Sequence, residues 1–170
     1  MNLEDHIRDV EDFPSEGILF KDITPLLNNP AAVKTALNEL MVFLDGKKID
    51  KVVGMESRGF FFAPMLALEL TAGFVPVRKA GKLPGKTIKQ GYGLEYGQDI
   101  LEMHTDAVRE GDSVLVHDDV LATGGTAEAA CKLIEQLGGT IVQCNFLIEL
   151  DFLKGRYKLK SYDVQSVLHY

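Results

Sequence analysis

Residues 114–126 read Val-Leu-Val-His-Asp-Asp-Val-Leu-Ala-Thr-Gly-Gly-Thr. An apolar run ends in two adjacent carboxylates, Asp118 and Asp119, and a loop of small residues then leads into a helical pattern at Thr126. A buried strand followed by a glycine-containing turn and a helix is the repeating unit of a parallel sheet with helical crossovers. This stretch therefore sets the expectation for the fold, and the remaining elements can be placed around it.

The same alternation of strand and helix extends in both directions from this stretch. Apolar periodicity predicts helices between Pro30 and Gly46, over 60–71 and over 126–137. Apolar runs predict strands over 51–56, 74–78, 113–119, 140–149 and 164–168. Alternating elements of this kind indicate an α/β fold with a mostly parallel twisted sheet and helices on both faces.

Two segments fall outside this alternation. Residues 3–10 predict a short helix within the N-terminal segment 1–30, which is called the hood below. Residues 81–102 are rich in glycine and lysine, lack strong periodicity, and predict a flexible loop excursion containing at most a weak hairpin. Segments of this length without periodicity are uncommon in compact domains unless they serve function. The 170 residues are expected to form a single domain, 1–170.

Composition excludes several classes of function. Apolar residues make up 46% of the chain and its net charge is −7, so we expect no nucleic-acid partner. No apolar run is long enough to span a bilayer, and the N-terminus lacks the pattern of a signal peptide, so we expect no membrane contact and a cytoplasmic location. Cys131 and Cys144 predict buried free thiols, and the cysteine and histidine spacings predict no metal site.

The loop behind the acid pair has the chemistry of a phosphate site. Its backbone N–H groups and two threonine hydroxyls can converge on one anion at the positively polarised start of a helix. Carboxylates beside it can accept hydrogen bonds from sugar hydroxyls. Turns at 57–59, 79–85 and 119–126 each follow a strand, so we expect them on the same rim of the sheet. Together these features predict a site for a phosphorylated ribose.

Other phosphate-binding signatures match poorly. Residues 81–87, Gly-Lys-Leu-Pro-Gly-Lys-Thr, are one residue short of a P-loop and no strong helical pattern follows them. The chain also has no Gly-x-Gly-x-x-Gly after a strand, which argues against a dinucleotide fold.

The 118–126 segment resembles the signature of the type I phosphoribosyltransferases, which use 5-phosphoribosyl-1-pyrophosphate (PRPP) as the sugar donor. The resemblance implies that Asp118 and Asp119 bind the ribose hydroxyls. It also implies that the 5′-phosphate of PRPP or AMP is held by Ala122, Thr123, Gly124, Gly125 and Thr126.

Further motifs are similar to the adenine-specific branch of this family. They are Phe13-Pro14, the run from Gly17 to Pro25, Glu56-Ser57-Arg58-Gly59-Phe60, the run from Arg78 to Gly85, and Leu94-Glu95-Tyr96-Gly97. The resemblance implies a glycosyltransferase of purine salvage that converts adenine and PRPP to AMP and pyrophosphate. It further implies Mg²⁺ carried by the substrate and a homodimer.

The resemblance also implies roles for individual residues. Leu19, Phe20 and Lys21 would bind adenine, Phe20 by stacking and its neighbours through their backbone, although many relatives carry Arg where this chain has Lys21. Three residues would serve catalysis: Glu95 and Tyr96 in the 81–102 segment, and Arg58 in the turn after the strand 51–56. A strained peptide is expected at Glu56-Ser57. Pyrophosphate would be bound by Glu56, Ser57, Arg58, Arg78, Lys79 and Lys82.

Two alternatives stay open at this point. A sister enzyme acting on xanthine, hypoxanthine or a pyrimidine differs from this assignment only in its base pocket. A non-catalytic PRPP-sensing regulator on the same fold would need an output segment, for which this acidic chain of 170 residues leaves little room. His117 departs from the family pattern, and strand alternation predicts a packing role for it on the side opposite Asp118.

Overall fold

A seven-stranded sheet forms the centre of the computed structural model, which describes residues 1–93 and 99–170. The bounds of five of its strands are β3 Lys51–Met55, β4 Gly73–Lys79, β7 Ser113–Leu121, β8 Thr140–Glu149 and β9 Val164–His169. These five strands are parallel, as predicted. β5 (Thr87–Tyr92) and β6 (Asp99–His104) complete the sheet as an antiparallel pair. Along the sheet the order is β5-β6-β4-β3-β7-β8-β9.

Helices cover both faces of the sheet because its central strands bury side chains on both sides. Val52 and Leu115 face one core, whereas their neighbours Val53 and Val116 face the other. α1 (Thr24–Leu27), α2 (Pro30–Val42) and α3 (Ala63–Glu69) pack on the first face. α4 (Gly125–Gln136) packs on the second. The predicted fold class is therefore confirmed. None of the helices in the described ranges has the length and apolar character needed to cross a membrane.

The prediction of a helix over residues 3–10 is wrong. Only Glu4–His6 form a short 3₁₀ turn, after which β1 (Arg8–Val10) pairs antiparallel with β2 (Phe20–Asp22). The pairing brings opposite charges together, with Arg8 on Asp22 and Lys21 on Asp9, each at 2.6 Å. The partner strand lies ten or more residues further along the chain, so local periodicity could not reveal it.

The segment 81–102 contributes two strands to the sheet, although it was expected to be an excursion with at most a weak hairpin. β6 pairs with β4 at Arg78–Glu102 and Lys79–Leu101, and β5 forms the edge. Leu101, Glu102 and Met103 are buried in succession. A strand buried on both faces shows no alternation of polar and apolar residues, which explains why the sequence pattern was weak here.

Candidate active site

Two of the three predicted turns meet around one cavity at the carboxyl ends of the parallel strands. The cavity has a volume of about 350 Å³. Glu56, Ser57 and Arg58 reach it from the end of β3, and Asp118 and Asp119 from the end of β7. Tyr92 at the end of β5 also lines it. Its remaining lining residues are Val120, Ala122 and Thr126.

The loop of small residues lies at the start of α4, as the sequence predicts. Gly124 precedes the helix with a φ of +79°, a conformation that glycine adopts without strain. A second, smaller cavity of about 70 Å³ is lined by the whole run from Val120 to Ala127. The loop therefore lines an open space at the positive end of a twelve-residue helix.

Gly155 supports this loop from a distant part of the chain and was missed in the sequence. A Cβ atom on Gly155 would collide with the carbonyl oxygen of Ala122, and one on Gly124 would collide with the carbonyl oxygen of Gly155. The two backbone segments are therefore in direct contact. The only signal available was the glycine itself, since its contact partner is more than thirty residues away.

The acid pair is held in a largely buried environment. Asp119 is 2% exposed, and the Oδ1 atom of Asp118 accepts the Asp119 backbone N–H at 2.9 Å. Burial raises the pKa of both carboxyls, and the Asp119 carboxylate raises that of Asp118 further. Arg58 opposes this effect, because its Nε atom lies 3.0 Å from Oδ2 of Asp119. The two carboxylates can thus accept hydrogen bonds from hydroxyl groups close to the positive charge of Arg58.

Arg58 connects the acid pair with the N-terminal hood. Its guanidinium carbon lies 4.7 Å from the centre of the Phe20 ring, a cation–π distance. Phe20 in turn contacts the Phe13 ring edge-on at 5.0 Å. The Glu56–Ser57 peptide that precedes Arg58 is cis. One arginine therefore contacts the residues predicted for the base and those predicted for the sugar.

Glu56 gathers the cations that were predicted for pyrophosphate. Its carboxylate accepts from Arg78 Nε at 3.1 Å, from the Lys79 backbone N–H at 3.1 Å, and from the Lys82 ammonium. Burial alone would raise the pKa of Glu56, but the hydrogen bonds from Lys82 and Arg78 outweigh it and lower the pKa to about 2. The Lys79 ammonium lies 3.9 Å from Asp99. The Arg78 and Lys82 side chains are therefore held at Glu56, which lines the cavity, whereas Lys79 contacts Glu56 only through its backbone N–H.

Comparison with known proteins agrees with this geometry. The phosphoribosyl transferase domain family matches residues 22–168. An adenine phosphoribosyltransferase of Flavobacterium johnsoniae is 64% identical over the full length of both chains. The crystal structure of the Rhodothermus marinus adenine phosphoribosyltransferase is 54% identical, with a TM-score of 0.95 over 99% of this chain and 96% of that one.

The chain belongs to the phosphoribosyltransferase family. Within that family it groups with the adenine phosphoribosyltransferases, which makes it a pentosyl-transferring enzyme. A crystal structure from Saccharomyces cerevisiae, 47% identical with a TM-score of 0.94 over 98% of this chain and 96% of that one, holds adenine and an imino-altritol 1,6-bisphosphate.

In this phosphoribosyltransferase the side chain of Lys21, at the position where many relatives carry Arg, lies away from the cavity. The Lys21 ammonium is 2.6 Å from Asp9 and 3.8 Å from the centre of the Tyr170 ring. Its side chain thus braces the hood, and only its backbone remains to contact a base. Leu19 is 45% exposed beside it.

Two predicted catalytic residues, Glu95 and Tyr96, lie outside the described residues. The strands that flank them are described, and Tyr92 at the end of β5 places its side chain in the cavity. Tyr92 was not predicted as a site residue. Its position within the glycine-rich segment was the only signal in the sequence.

His117 has the packing role predicted for it. It is fully buried, its Nδ1 atom lies 2.8 Å from Oδ1 of Asn145, and its ring meets Phe62 edge-on. Burial lowers the pKa of His117 to about 4, so the ring is neutral at pH 7. Cys131 and Cys144 are buried free thiols, as predicted, with their sulfur atoms 3.7 Å apart.

The spacing of cysteines and histidines in the sequence did not reveal one group of potential metal ligands. His169 at the end of β9 joins Glu149 and Asp151 at the end of β8, with ligand atoms within 4.8 Å of one another. The sequence separates His169 from both acids, and only the parallel pairing of β8 with β9 brings them together. The Glu149 carboxylate already accepts hydrogen bonds from Arg156 and Ser166, so its charge is compensated within the protein.

Proposed function

We propose that this chain transfers the 5-phosphoribosyl group of PRPP to adenine, giving AMP and pyrophosphate. The observation that carries the proposal is the single cavity in which the acid pair, the loop 122–126 and the Glu56-Ser57-Arg58 turn meet. A phosphate cradle, a diol-binding acid pair and a cluster of cations match the three parts of PRPP in order. Membership of the adenine phosphoribosyltransferases supports the same reaction.

The sugar half of the site acts by positioning and charge. The loop 122–126 holds the 5′-phosphate through its N–H groups, while Asp118 and Asp119 accept the ribose hydroxyls. As the bond to pyrophosphate breaks, positive charge develops on the sugar, and two nearby carboxylates lower its energy. Arg58 favours the ionised form of Asp119, because its positive charge opposes the rise in pKa that burial causes.

The leaving pyrophosphate is stabilised by the cations around Glu56. Arg78 and Lys82 supply positive charge beside Glu56, and the Lys79 ammonium, 3.9 Å from Asp99, is assigned to the same leaving group. Mg²⁺ carried by PRPP would neutralise further charge on the leaving group. The carboxylates near the cavity fit an ion that is held mainly by substrate oxygens. Asp119 is already paired with Arg58, and Glu56 is already paired with Arg78 and Lys82.

The base half of the site belongs to the hood, residues 1–30. Phe20 stacks on the adenine ring, and backbone groups of Leu19 and Lys21 distinguish its amino group from an oxo group. Glu95 would exchange a proton with the purine, with Tyr96 beside it, in the segment 81–102. Enclosing the site excludes the water that would otherwise attack the sugar.

We further propose that the protein works as a homodimer in the cytoplasm. Exposed apolar side chains near α3 support an interface there. Leu68 on α3 is 80% exposed, Phe61 in the turn before α3 is 41% exposed, and Phe74 on the neighbouring strand β4 is 36% exposed. Arg78 and Lys79 also lie on β4, so that an interface on this side brings them near the site of a partner subunit.

A direct assay tests the reaction. The protein is incubated with PRPP, Mg²⁺ and each nucleobase in turn, and the nucleotide formed is measured. We expect AMP from adenine and little product from hypoxanthine, xanthine or pyrimidines. Preference for another base would assign a sister enzyme, and PRPP binding without any turnover would assign a sensor.

A further inference from the structure

A buried carboxylate outside the cavity holds the loop that carries Lys82. Glu102 on β6 is 2% exposed. Its Oε1 atom accepts three consecutive backbone N–H groups, from Gly81 at 2.9 Å, Lys82 at 3.1 Å and Leu83 at 3.1 Å. Three N–H groups converging on one anionic oxygen fix the path of a backbone more firmly than neutral contacts do.

The second carboxylate oxygen of Glu102 faces the edge strand. Oε2 accepts the Thr87 hydroxyl at 3.3 Å and lies 3.9 Å from the Lys89 ammonium, both on β5. The carboxylate therefore links the β5–β6 hairpin to the loop. Its hydrogen bond from Leu83 lowers the pKa of Glu102 despite burial, so the group is ionised at neutral pH.

The Lys82 residue is fixed from its other side as well. Its carbonyl oxygen accepts from Arg78 at 3.1 Å, and its ammonium donates to Glu56. Glycines at positions 81 and 85 have φ values of +85° and +83°, so the loop between them has a defined but irregular path outside helix and strand. Among the described residues, the backbone N–H of Lys82 has two hydrogen-bond acceptors, Glu102 Oε1 and the Lys79 carbonyl oxygen.

We infer that Glu102 is a positioning residue for the pyrophosphate half of the site, acting through the loop 81–83 on Lys82. This inference rests on the proposed function. Glu102 does not line the cavity and has no hydrogen bond to the loop 122–126 or to the hood among the described residues. Its loss should therefore affect the binding of pyrophosphate and PRPP but not the binding of AMP, which has no pyrophosphate group.

The test compares the affinities of two ligands in the Glu102→Gln variant. Calorimetric titration with magnesium pyrophosphate should show affinity reduced roughly tenfold, as expected for a lost charge-assisted contact. Titration with AMP should stay within about twofold of the unaltered protein. Both titrations need no turnover, so they remain informative if the protein proves to act on a base other than adenine.

A double-mutant cycle with Lys82→Ala separates positioning from general destabilisation. If Glu102 acts through Lys82, adding Glu102→Gln to the Lys82→Ala variant should weaken pyrophosphate binding little further. Asp163→Asn serves as the matched control, because Asp163 accepts hydrogen bonds from Lys47 and Gln143 at the opposite end of the strands. The control should leave both affinities unchanged.

Two results would overturn the inference. One is a Glu102→Gln variant that binds pyrophosphate as tightly as the unaltered protein. The other is an equal loss of pyrophosphate and AMP affinity, which would assign Glu102 a purely structural role. Should the Gln variant fail to fold, Glu102→Asp keeps the charge with a shorter reach and is held to the same two criteria.

Discussion

The sharpest test of the site geometry is the substitution Gly59→Ala. Gly59 is buried in the turn after Arg58, and a methyl group there would lie 2.9 Å from Oδ1 of Asp118 and 3.1 Å from the carbonyl oxygen of His117. Ordinary contacts of this kind begin at 3.4 Å. The Asp118 carboxylate must therefore move by about 0.5 Å to make room, because the His117 backbone is held within the sheet.

This displacement sets the expected magnitudes. Overpacking of this kind destabilises a fold by about 1–3 kcal/mol. A shift of about 1 Å in a positioned group can cost roughly 100-fold in rate, so half that shift predicts a loss of roughly tenfold in kcat/KM for PRPP. Urea denaturation and steady-state kinetics with PRPP measure the two effects separately.

Gly73→Ala is the matched control for this experiment. The three atoms nearest to the new methyl group at the start of β4 would all belong to the Lys51 side chain, with Nζ at 3.1 Å and Cδ at 3.2 Å, and that flexible side chain can move aside. We expect its stability and kinetics to stay close to those of the unaltered protein. Undiminished PRPP turnover in Gly59→Ala would refute the placement of Asp118 as a sugar ligand.

Three further outcomes are expected. Burial raises the pKa of Asp118, so a charge on this carboxyl at pH 7 opposes folding. Asp118→Asn should therefore raise the free energy of unfolding in urea denaturation while PRPP turnover falls; a less stable variant would contradict this. The pKa of Glu56 is about 2 in the folded protein, against an ordinary value of 4.5. Its contribution to stability is therefore complete above about pH 4.5 and is lost as the pH falls toward 2. Acid titration of Glu56→Gln should show a shallower loss of stability over that range than the unaltered protein does. Lys21→Ala should leave the KM for adenine within about twofold, since its ammonium pairs with Asp9, and should cost less than about 1 kcal/mol of stability, whereas Phe20→Ala should raise that KM strongly.

The parts of the fold and site that depend on nearby residues could be predicted from the sequence. The acid pair, the loop 122–126 and the start of α4 follow one another directly, and the structure places them as expected. The buried strands were recognisable from their apolar runs. The rim of the sheet then followed from the rule that parallel strands end on the same side.

The missed features depend on partners distant in the sequence. The strand β1 exists because Phe20–Asp22 lies beside it, and Gly155 matters because Ala122 and Gly124 touch it. Glu102 looked like an ordinary polar residue of an irregular segment, since nothing local shows that its carboxylate receives N–H groups from residues 81–83. Tyr92 enters the cavity only because β5 joins the sheet edge.

The backbone contact between Gly155 and the Ala122–Gly124 segment has a consequence for recombining this chain with relatives. A crossover point placed between these segments would combine two contacting backbone segments from different parents. Even one added methyl group at Gly155, or one inserted residue near it, would displace the loop 122–126. Hybrid enzymes should therefore inherit residues 121–159 as a block from one parent. Junctions outside that block, such as in the turn between α3 and β4, leave the cradle intact.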